Sequence, residues 1–388
     1  MSQPHIYLVA AERSGDLLGA DLARALVGLT GGDVTLSGIG GSAMAEAGIA
    51  SQMSIDGLNI LGWIDGLKAY KRVKQSVAEA VERILAARPD TVVLIDSWGF
   101  TLRVARGVRA VDPSIRLVKY VGPQVFATRP GRAAVLADTV DELLTILSFD
   151  APFYTPHGLP VTFVGNPTLE RLPSGDGAAF RARHGIGDAD QVLVVLLGSR
   201  PSEIRRMTPP FADALRRLLD QYPGLRVVLP VADPVAGDVD AVIAAHDSLA
   251  SAIRVGEDEK ADAFAAADQA LACSGTVVTE LATAGVPTVT SYKLGWITWA
   301  IARAFNLIRT RHISLVNIAA DERVIPELVQ LNCTGSRLAD AVDGLLRDPA
   351  GRKAMSVRLR SITATLRGDG QASIRAAEAV LAGLDPRD

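Results

Sequence analysis

Short runs of β-branched and aliphatic residues alternate along this chain with Gly, Ser and Asp turns and with longer stretches at helical spacing. Apolar runs bounded by turn residues read as buried strands, and the longer periodic stretches read as helices. The first series of strands is HIYLVA (5–10), TVVLID (91–96), IRLVKYV (115–121), LLTIL (143–147) and VTFVG (161–165). A second series follows in QVLVVLLG (191–198), RVVLPV (226–231), AIRVG (252–256), QALAC (269–273) and VPTVTSY (286–292). Between them, GNPTLERLPSGDGAA (165–179) concentrates Gly and Pro and reads as a linker. From about 335 onward the chain reads as helices rich in Ala, Leu and Arg. Alternation of β and α predicts a doubly wound parallel sheet. Two series in tandem predict an α/β chain of two Rossmann-like domains, 1–165 and 166–388, facing across a cleft.

Composition narrows the function classes. The 388 residues are 48% hydrophobic with a formal net charge of −3, as in a folded globular protein. Such a balance lacks the basic footprint of a general nucleic-acid binder. The opening residues, MSQPHIYLVAAERSGD, have no basic stretch before a short apolar run, so no signal peptide is expected there. No uninterrupted run reaches the roughly 18 apolar residues of a membrane span. Cys273 and Cys333 are the only cysteines, which suits a reducing cytoplasm. The five histidines are scattered, so no built-in metal site is expected.

In open parallel sheets, ligands sit at the carboxyl ends of strands, where loops lead into helices. Two such turns in the second series suit an anion. LLGSRPSEIRRM leaves a strand through Gly198, Ser199 and Arg200 and opens a helix at Pro201. The glycine lets a ligand approach the backbone, free N–H groups at the helix start favour an anion, and Arg200 adds a bidentate phosphate contact. ACSGTVVTELATAGVP (272–287) repeats this arrangement with Ser274, Gly275 and Thr276, and seats Glu280 where a carboxylate can grip a ribose-like hydroxyl pair. A plain capped helix explains either turn alone; the two on one sheet favour a nucleotide diphosphate. Neither is a Walker loop or a G-x-G-x-x-G fingerprint, which counts against triphosphate hydrolysis and dinucleotide redox chemistry. In the first series, Asp96 ends TVVLID, where a general base would be placed, although a capping role explains it equally. Glu12, Ser14 and Asp16 in AERSGDLLGA (11–20) likewise read as caps or as site groups.

Two segments read as membrane-facing. LNILGWIDGLKAYKRVK (58–74) sets Trp63 and its aliphatic neighbours directly before Lys68, Lys71, Arg72 and Lys74. LGWITWAIARAFNLIRTRH (294–312) is apolar on nearly every side, with two tryptophans and arginines breaking it, and a buried helix explains it at least as well. Apolar residues with Trp beside a basic cluster suit a peripheral protein on anionic lipid.

Taken together, these turns resemble the lipid-A-disaccharide synthase family, two-domain glycosyltransferases of the GT-B type that work at the inner face of the bacterial cytoplasmic membrane. The similarity runs from AERSGDLLGA to IPELVQ (325–330). GSRPSEI is similar to the family's Gly-Ser-Arg-x-x-Glu-Ile and carries Gly198, Ser199, Arg200 and Glu203. SGTVVTE matches its Ser-Gly-Thr…Glu element in Ser274, Gly275, Thr276 and Glu280. ISLVNIAADERVIPELVQ resembles a third stretch and carries Ser314, Asn317, Glu327 and Gln330. The resemblance implies that these residues bind the UDP end of the donor.

In the first half, Glu12, Ser14, Gly15 and Asp16 match Gly-Glu-Ala-Ser-Gly-Asp, with Ala11 and Arg13 departing from it. Asp96 matches the catalytic Asp, followed here by Trp98, Gly99 and Phe100 rather than Pro-Asp-Phe. YVGPQVFATRPGR (120–132) keeps Pro123, Arg129 and Arg132 but has Phe126 and Thr128 in place of two tryptophans, and Asn166 stands where the family usually has His. The resemblance implies catalytic roles for Asp96, Glu12 and Asp16, and an acceptor side formed by Ser14, Gly15, Arg129 and Arg132.

The implied reaction is an inverting transfer of 2,3-diacylglucosamine from UDP to 2,3-diacylglucosamine 1-phosphate, giving the β-1,6 lipid A disaccharide. The implied partners are the UDP-activated acyl-glucosamine donor, a lipid acceptor and the anionic inner-membrane surface, with no nucleic acid, and a homodimer is compatible with them. The implied location is cytoplasmic and peripheral on that membrane. No cofactor or metal is expected, because Arg200 and two helix starts can neutralise the leaving diphosphate. A related enzyme with a different lipid acceptor, and a non-catalytic paralogue that binds a UDP-sugar or lipid, remain open at this point.

Overall fold

The computed structural model describes residues 3–51, 53–55, 66–296, 299 and 310–384, with backbone alone over 66–72. The chain divides into two compact units, Met1–Glu170 with Leu366–Asp388, and Arg171–Thr365. Each is an α/β unit on one six-stranded sheet in which every pairing is parallel, so the expected fold class is the one observed.

The first sheet comprises β1 (His5–Ala10), β2 (Thr35–Ile39), β3 (Thr91–Ile95), β4 (Arg116–Tyr120), β5 (Glu142–Thr145) and β6 (Val161–Phe163). Their order is β2-β1-β3-β4-β5-β6. Successive side chains of a strand face opposite ways, so Tyr7 and Val9 enter one core layer while Ile6, Leu8 and Ala10 enter the other. The helix after β1, Arg13–Thr30, places Leu18, Leu22 and Leu26 in the second layer. The helix after β3, Trp98–Val111, places Phe100, Val104 and Val108 in the first. Those two helices therefore cover opposite faces, and the winding reverses between β1 and β3.

The second sheet comprises β7 (Val192–Leu196), β8 (Arg226–Pro230), β9 (Ile253–Val255), β10 (Gln269–Cys273), β11 (Thr288–Tyr292) and β12 (Glu327–Val329). Their order is β12-β11-β10-β7-β8-β9, so this winding reverses between β7 and β10. Helices Pro201–Gln221 and Gly335–Arg347 bury Ile204, Phe211, Leu215, Leu338 and Val342 against Leu193, Val195 and Leu271.

Two features differ from the sequence reading. β2 and β12 were not among the expected strands; both are sheet edges, paired on one side only, and neither carries a continuous apolar run. The other difference is the chain's last helix, Ala372–Ala382, which the expected 166–388 domain would contain. It packs instead on the first unit, where Ala376, Ala377 and Val380 join Leu18, Leu22 and Leu26. Arg116 Nη1 donates to the Val380 carbonyl at 2.8 Å, and the Ala372 N–H donates to Glu170 Oε1 at 3.0 Å. An apolar helix face reports that a helix packs, not which sheet it covers.

Val380→Ala removes two buried methyl groups from this contact and is expected to cost about 1–3 kcal/mol of stability in the first unit. Hydrogen exchange should then accelerate in Arg13–Thr30 and stay unchanged in Pro201–Gln221; equal acceleration in both would contradict the assignment.

Candidate active site

The reversal between β7 and β10 is flanked by the two turns expected to hold an anion. After β7, Gly198 adopts φ 124°, and a Cβ there would lie 2.6 Å from Glu203 Cβ and 3.6 Å from Cys273 Sγ, so only glycine fits. Arg200 ends the turn, and Pro201 opens the helix with a φ already suited to it. The buried Glu203 carboxylate accepts the Ser199 N–H at 3.0 Å and pairs with Arg200 Nη1 at 3.0 Å. The Arg200 side chain is nonetheless 73% exposed, so most of its guanidinium donors face outward. Glu203, expected at the donor, is thus a brace of the turn. After β10, the Ser274 N–H donates to the Ser291 carbonyl at 2.8 Å, and Gly275 and Thr276 are exposed at the start of helix Thr276–Ala284. Neither helix start has a side-chain cap, so no capping side chain takes its first N–H groups.

Glu280 lies in that second helix, with Oε2 3.1 Å from Lys260 Nζ, which also meets Glu257 Oε2 at 2.7 Å. Burial works against the Lys260 charge, but Glu257 and Glu280 outweigh it, and the lysine pKa is raised. The Cys273 thiol beneath is pushed up to about 12 by burial and by Glu203, so it is no nucleophile at neutral pH.

Asn317, Glu327 and Gln330, also expected at the donor, are buried and committed to their own backbone. Asn317 Oδ1 accepts from Val324 and Ile325 at 2.9 and 3.0 Å, while its Nδ2 donates to the Ile325 carbonyl at 2.9 Å. Glu327 Oε1 accepts the Ser314 N–H at 2.8 Å and the Ser314 hydroxyl at 2.7 Å. Gln330 bonds Leu294 through both ends of its amide, at 3.0 and 3.2 Å. These three hold the loops around Leu294 and Ser314.

In the first unit, the β1–β3 reversal brings Glu12, Ser14 and Asp96 together. The Ser14 hydroxyl donates to Asp96 Oδ2 at 3.2 Å. Burial and the neighbouring Asp96 charge hold the Glu12 carboxyl above the usual range, with Lys119 opposing them. Asp96 and Ser97 adopt φ 49° and 40°, two consecutive left-handed residues with side chains. Asp16 differs from expectation: it is buried and accepts the N–H groups of Gly41, Ala43 and Met44 at 2.7, 2.9 and 3.1 Å. With three backbone donors on it, this carboxylate fixes the loop after β2. A Cβ added at Gly15 would lie 3.4 Å from Ala10 Cβ and 3.5 Å from the Ile95 carbonyl, within ordinary contact. Arg132 stacks over Trp98 at 5.0 Å, and Arg129 lowers its pKa further below the burial effect, so two cations share this rim. Phe126, in place of a family tryptophan, packs edge-on against Phe149 at 5.1 Å. Asn166 is buried, with Oδ1 accepting the Thr168 N–H at 3.1 Å.

Sequence reasoning missed Lys119. It sits in β4, 2% exposed, and donates from Nζ to the Asp96 carbonyl and to Thr101 Oγ1, the latter at 2.9 Å. A lysine directly after the apolar pair Leu117 and Val118 in IRLVKYV was the available signal. Burial pulls its pKa down to about 7, against the attraction of Asp96 and Glu12.

A sequence model described as lipid-A-disaccharide synthetase matches residues 6–380. The lipid-A-disaccharide synthase of Rhodospirillum centenum is 41% identical over 378 residues, covering 97% of this chain and 94% of its own. That of Paramagnetospirillum magneticum is 39% identical over 378 residues, covering 97% and 96%. The chain belongs to the lipid-A-disaccharide synthase family.

Its activity is therefore that of a glycosyltransferase, the transfer of 2,3-diacylglucosamine from UDP to 2,3-diacylglucosamine 1-phosphate with release of UDP. Solved structures share the fold at low identity. An S. aureus MnaA–UDP co-structure aligns with TM-score 0.66 at 13% identity over 98% of this chain and 97% of that one. The UDP-GlcNAc 2-epimerase from Neisseria meningitidis bound to UDP-GlcNAc aligns with TM-score 0.61 at 12% identity over 97% and 100%. Of the two segments expected to face lipid, 58–65 lies outside the described residues and 66–72 is backbone alone. Most of 294–312 also lies outside them. No helix among the described residues is long and apolar enough to cross a membrane.

Lys119 imposes a pH dependence on stability. It releases its proton near pH 7 in the folded chain, against an ordinary value of 10.5. Between these values the unfolded chain holds a proton that the folded chain has lost, so stability rises with pH across that window and is unaffected by this group below it. Lys119→Met is expected to remove that rise. Chemical denaturation of both proteins over a pH series measures it, and parallel curves would count against it.

Proposed function

We propose that the two strand reversals divide the family's reaction between the units: the second holds the donor's UDP, and the first supplies the acceptor side and the base. The observation that carries this reading is the pair of uncapped helix starts at the β7–β10 reversal, with the exposed Arg200 guanidinium beside them. Backbone N–H groups and a guanidinium suit a diphosphate, whose charge grows as it leaves. In this reading Glu280, in the helix that begins at Thr276 and paired with Lys260, accepts ribose hydroxyls. Solved relatives in fold that contain UDP or UDP-GlcNAc support the choice of nucleotide.

In this reading, the acceptor hydroxyl oxygen attacks the donor's anomeric carbon as the bond to the diphosphate oxygen breaks. The electron pair leaves with UDP, the configuration inverts, and the hydroxyl proton passes to the Asp96 carboxylate. Ser14 orients that carboxylate through its 3.2 Å hydrogen bond, and Glu12 adds negative charge beside it. Arg129 and Arg132, with no ion pair to a described carboxylate, are suited to the acceptor's phosphate. Glu203, Asn317, Glu327, Gln330 and Asp16 preorganise the loops that carry these groups. The lipid substrates and the Trp63–Arg72 stretch further support work on the anionic inner face of the cytoplasmic membrane.

Arg200→Ala is expected to weaken UDP binding by about 1.5–3 kcal/mol, the worth of a hydrogen bond to a charged group. Unchanged binding in calorimetry would remove Arg200 from the diphosphate site. Asp96→Asn is nearly isosteric and is expected to fold, bind UDP normally and turn over about 10²–10⁴-fold more slowly. Thermal melting, UDP binding and turnover measured on one preparation check this; full activity would exclude Asp96 as the base.

A further inference from the structure

Among its described residues, the first unit holds a buried cation that the reaction scheme leaves unused. Lys119 occupies the fourth of the five positions of β4, in register with Leu94 of β3, and its surroundings are Leu94, Trp98, Leu102, Ala105 and Leu136. An ammonium among such groups is costly to bury, and the sheet itself does not need it, since an apolar side chain would fill the position. Its donors instead meet one structure. Nζ bonds the Asp96 carbonyl and Thr101 Oγ1, and that hydroxyl in turn lies 2.9 Å from both the Asp96 and the Ser97 carbonyls.

The turn so gripped is an unusual one. Asp96 and Ser97 both have φ in the left-handed region, which residues bearing a Cβ rarely adopt singly and still more rarely in succession. Such a conformation persists where surrounding contacts over-determine it. On the strand side, the Asp96 N–H continues the ladder to the Tyr120 carbonyl at 2.8 Å. From below, Lys119 and Thr101 take the carbonyls. The carboxylate is thereby turned toward Ser14, in the first turn of the helix that follows the neighbouring strand. Asp96 and Glu12 are the charged groups that act on the ammonium among the described residues.

We propose that Lys119 is a positioning residue for the glycosyl transfer, holding the strained Asp96–Ser97 turn from beneath so that the Asp96 carboxylate faces the strand reversal. This rests on the reading of Asp96 as the base. Lys119 touches no substrate in this scheme; it acts through Asp96. Loss of its grip lets the turn relax toward ordinary backbone angles and moves the carboxylate, and misplacement by about 1 Å can cost roughly 10²-fold in rate.

The test is a double-mutant cycle on the full chain with both lipid substrates. Lys119→Met is expected to melt as a folded protein, bind UDP as the wild type does, keep the donor KM, and lose about ten- to a hundred-fold in kcat. In an Asp96→Asn background, the same substitution is expected to change kcat little, because the base it positions is already gone. A general loss of structure would lower both backgrounds alike. Thr101→Val, which is nearly isosteric and keeps the lysine, gives the second arm and serves if Lys119→Met does not fold. It should lower kcat several-fold, again only where Asp96 is present. Wild-type kcat in Lys119→Met or in Thr101→Val overturns the proposal, as does an equal loss in both backgrounds. Full activity in Asp96→Asn alone would instead sink the assignment of the base, and this inference with it.

Discussion

Each sheet of this chain is wound in both directions, and the chemistry follows from that single constraint. Parallel crossovers are right-handed, so helices that follow strands wound one way cover one face and those wound the other way cover the opposite face. At the reversal, two neighbouring strand ends are left uncovered between diverging helices. In the first unit these are the ends of β1 and β3, which carry Glu12 and Asp96. In the second they are the ends of β7 and β10, which carry Ser199 and Ser274. Every group assigned to the reacting or leaving atoms lies on one of these four turns or on the helix that leaves it.

A turn in that position is useful only if it is rigid, and much of the surrounding polarity serves that end. Asp16 spends its carboxylate on three backbone donors, Glu327 and Asn317 tie the Ser314 loop to β12, and Glu203 closes the Gly198 turn. Buried polar groups must find partners, and those used here are backbone groups that no regular ladder satisfies. Residues that bind loops and residues that bind ligands therefore occur in the same motifs. They separate by burial: Glu203 is buried while Arg200, three positions earlier, is mostly exposed.

The two units handle charge differently. The second presents N–H groups and a guanidinium, a fixed positive field suited to a leaving diphosphate. The first gathers Glu12 and Asp96 around the buried Lys119: the Asp96 charge helps hold the Glu12 carboxyl up, and both carboxylates oppose the fall of the lysine pKa that burial causes. Such clustering is common where a group must accept a proton near neutral pH.

The sequence by itself determined the fold class, ten of the twelve strands and the four turns, because apolar period, glycine and β-branched runs are local quantities. Its motifs also carried the family, through Gly198 to Glu203 and Ser274 to Glu280. The edge strands β2 and β12 escaped it, since a strand paired on one side needs no continuous apolar run. Only the tertiary structure decided where the last helix belongs, because Ala376 and Val380 are equally apolar whichever sheet they cover. Only it distinguished Asp16, a loop brace, from Asp96, an aspartate of the same type at the neighbouring strand end. Only it revealed Lys119 under the Asp96 turn, since the hydrogen bonds that give that lysine its meaning join β4 to the turn and the helix that follow β3.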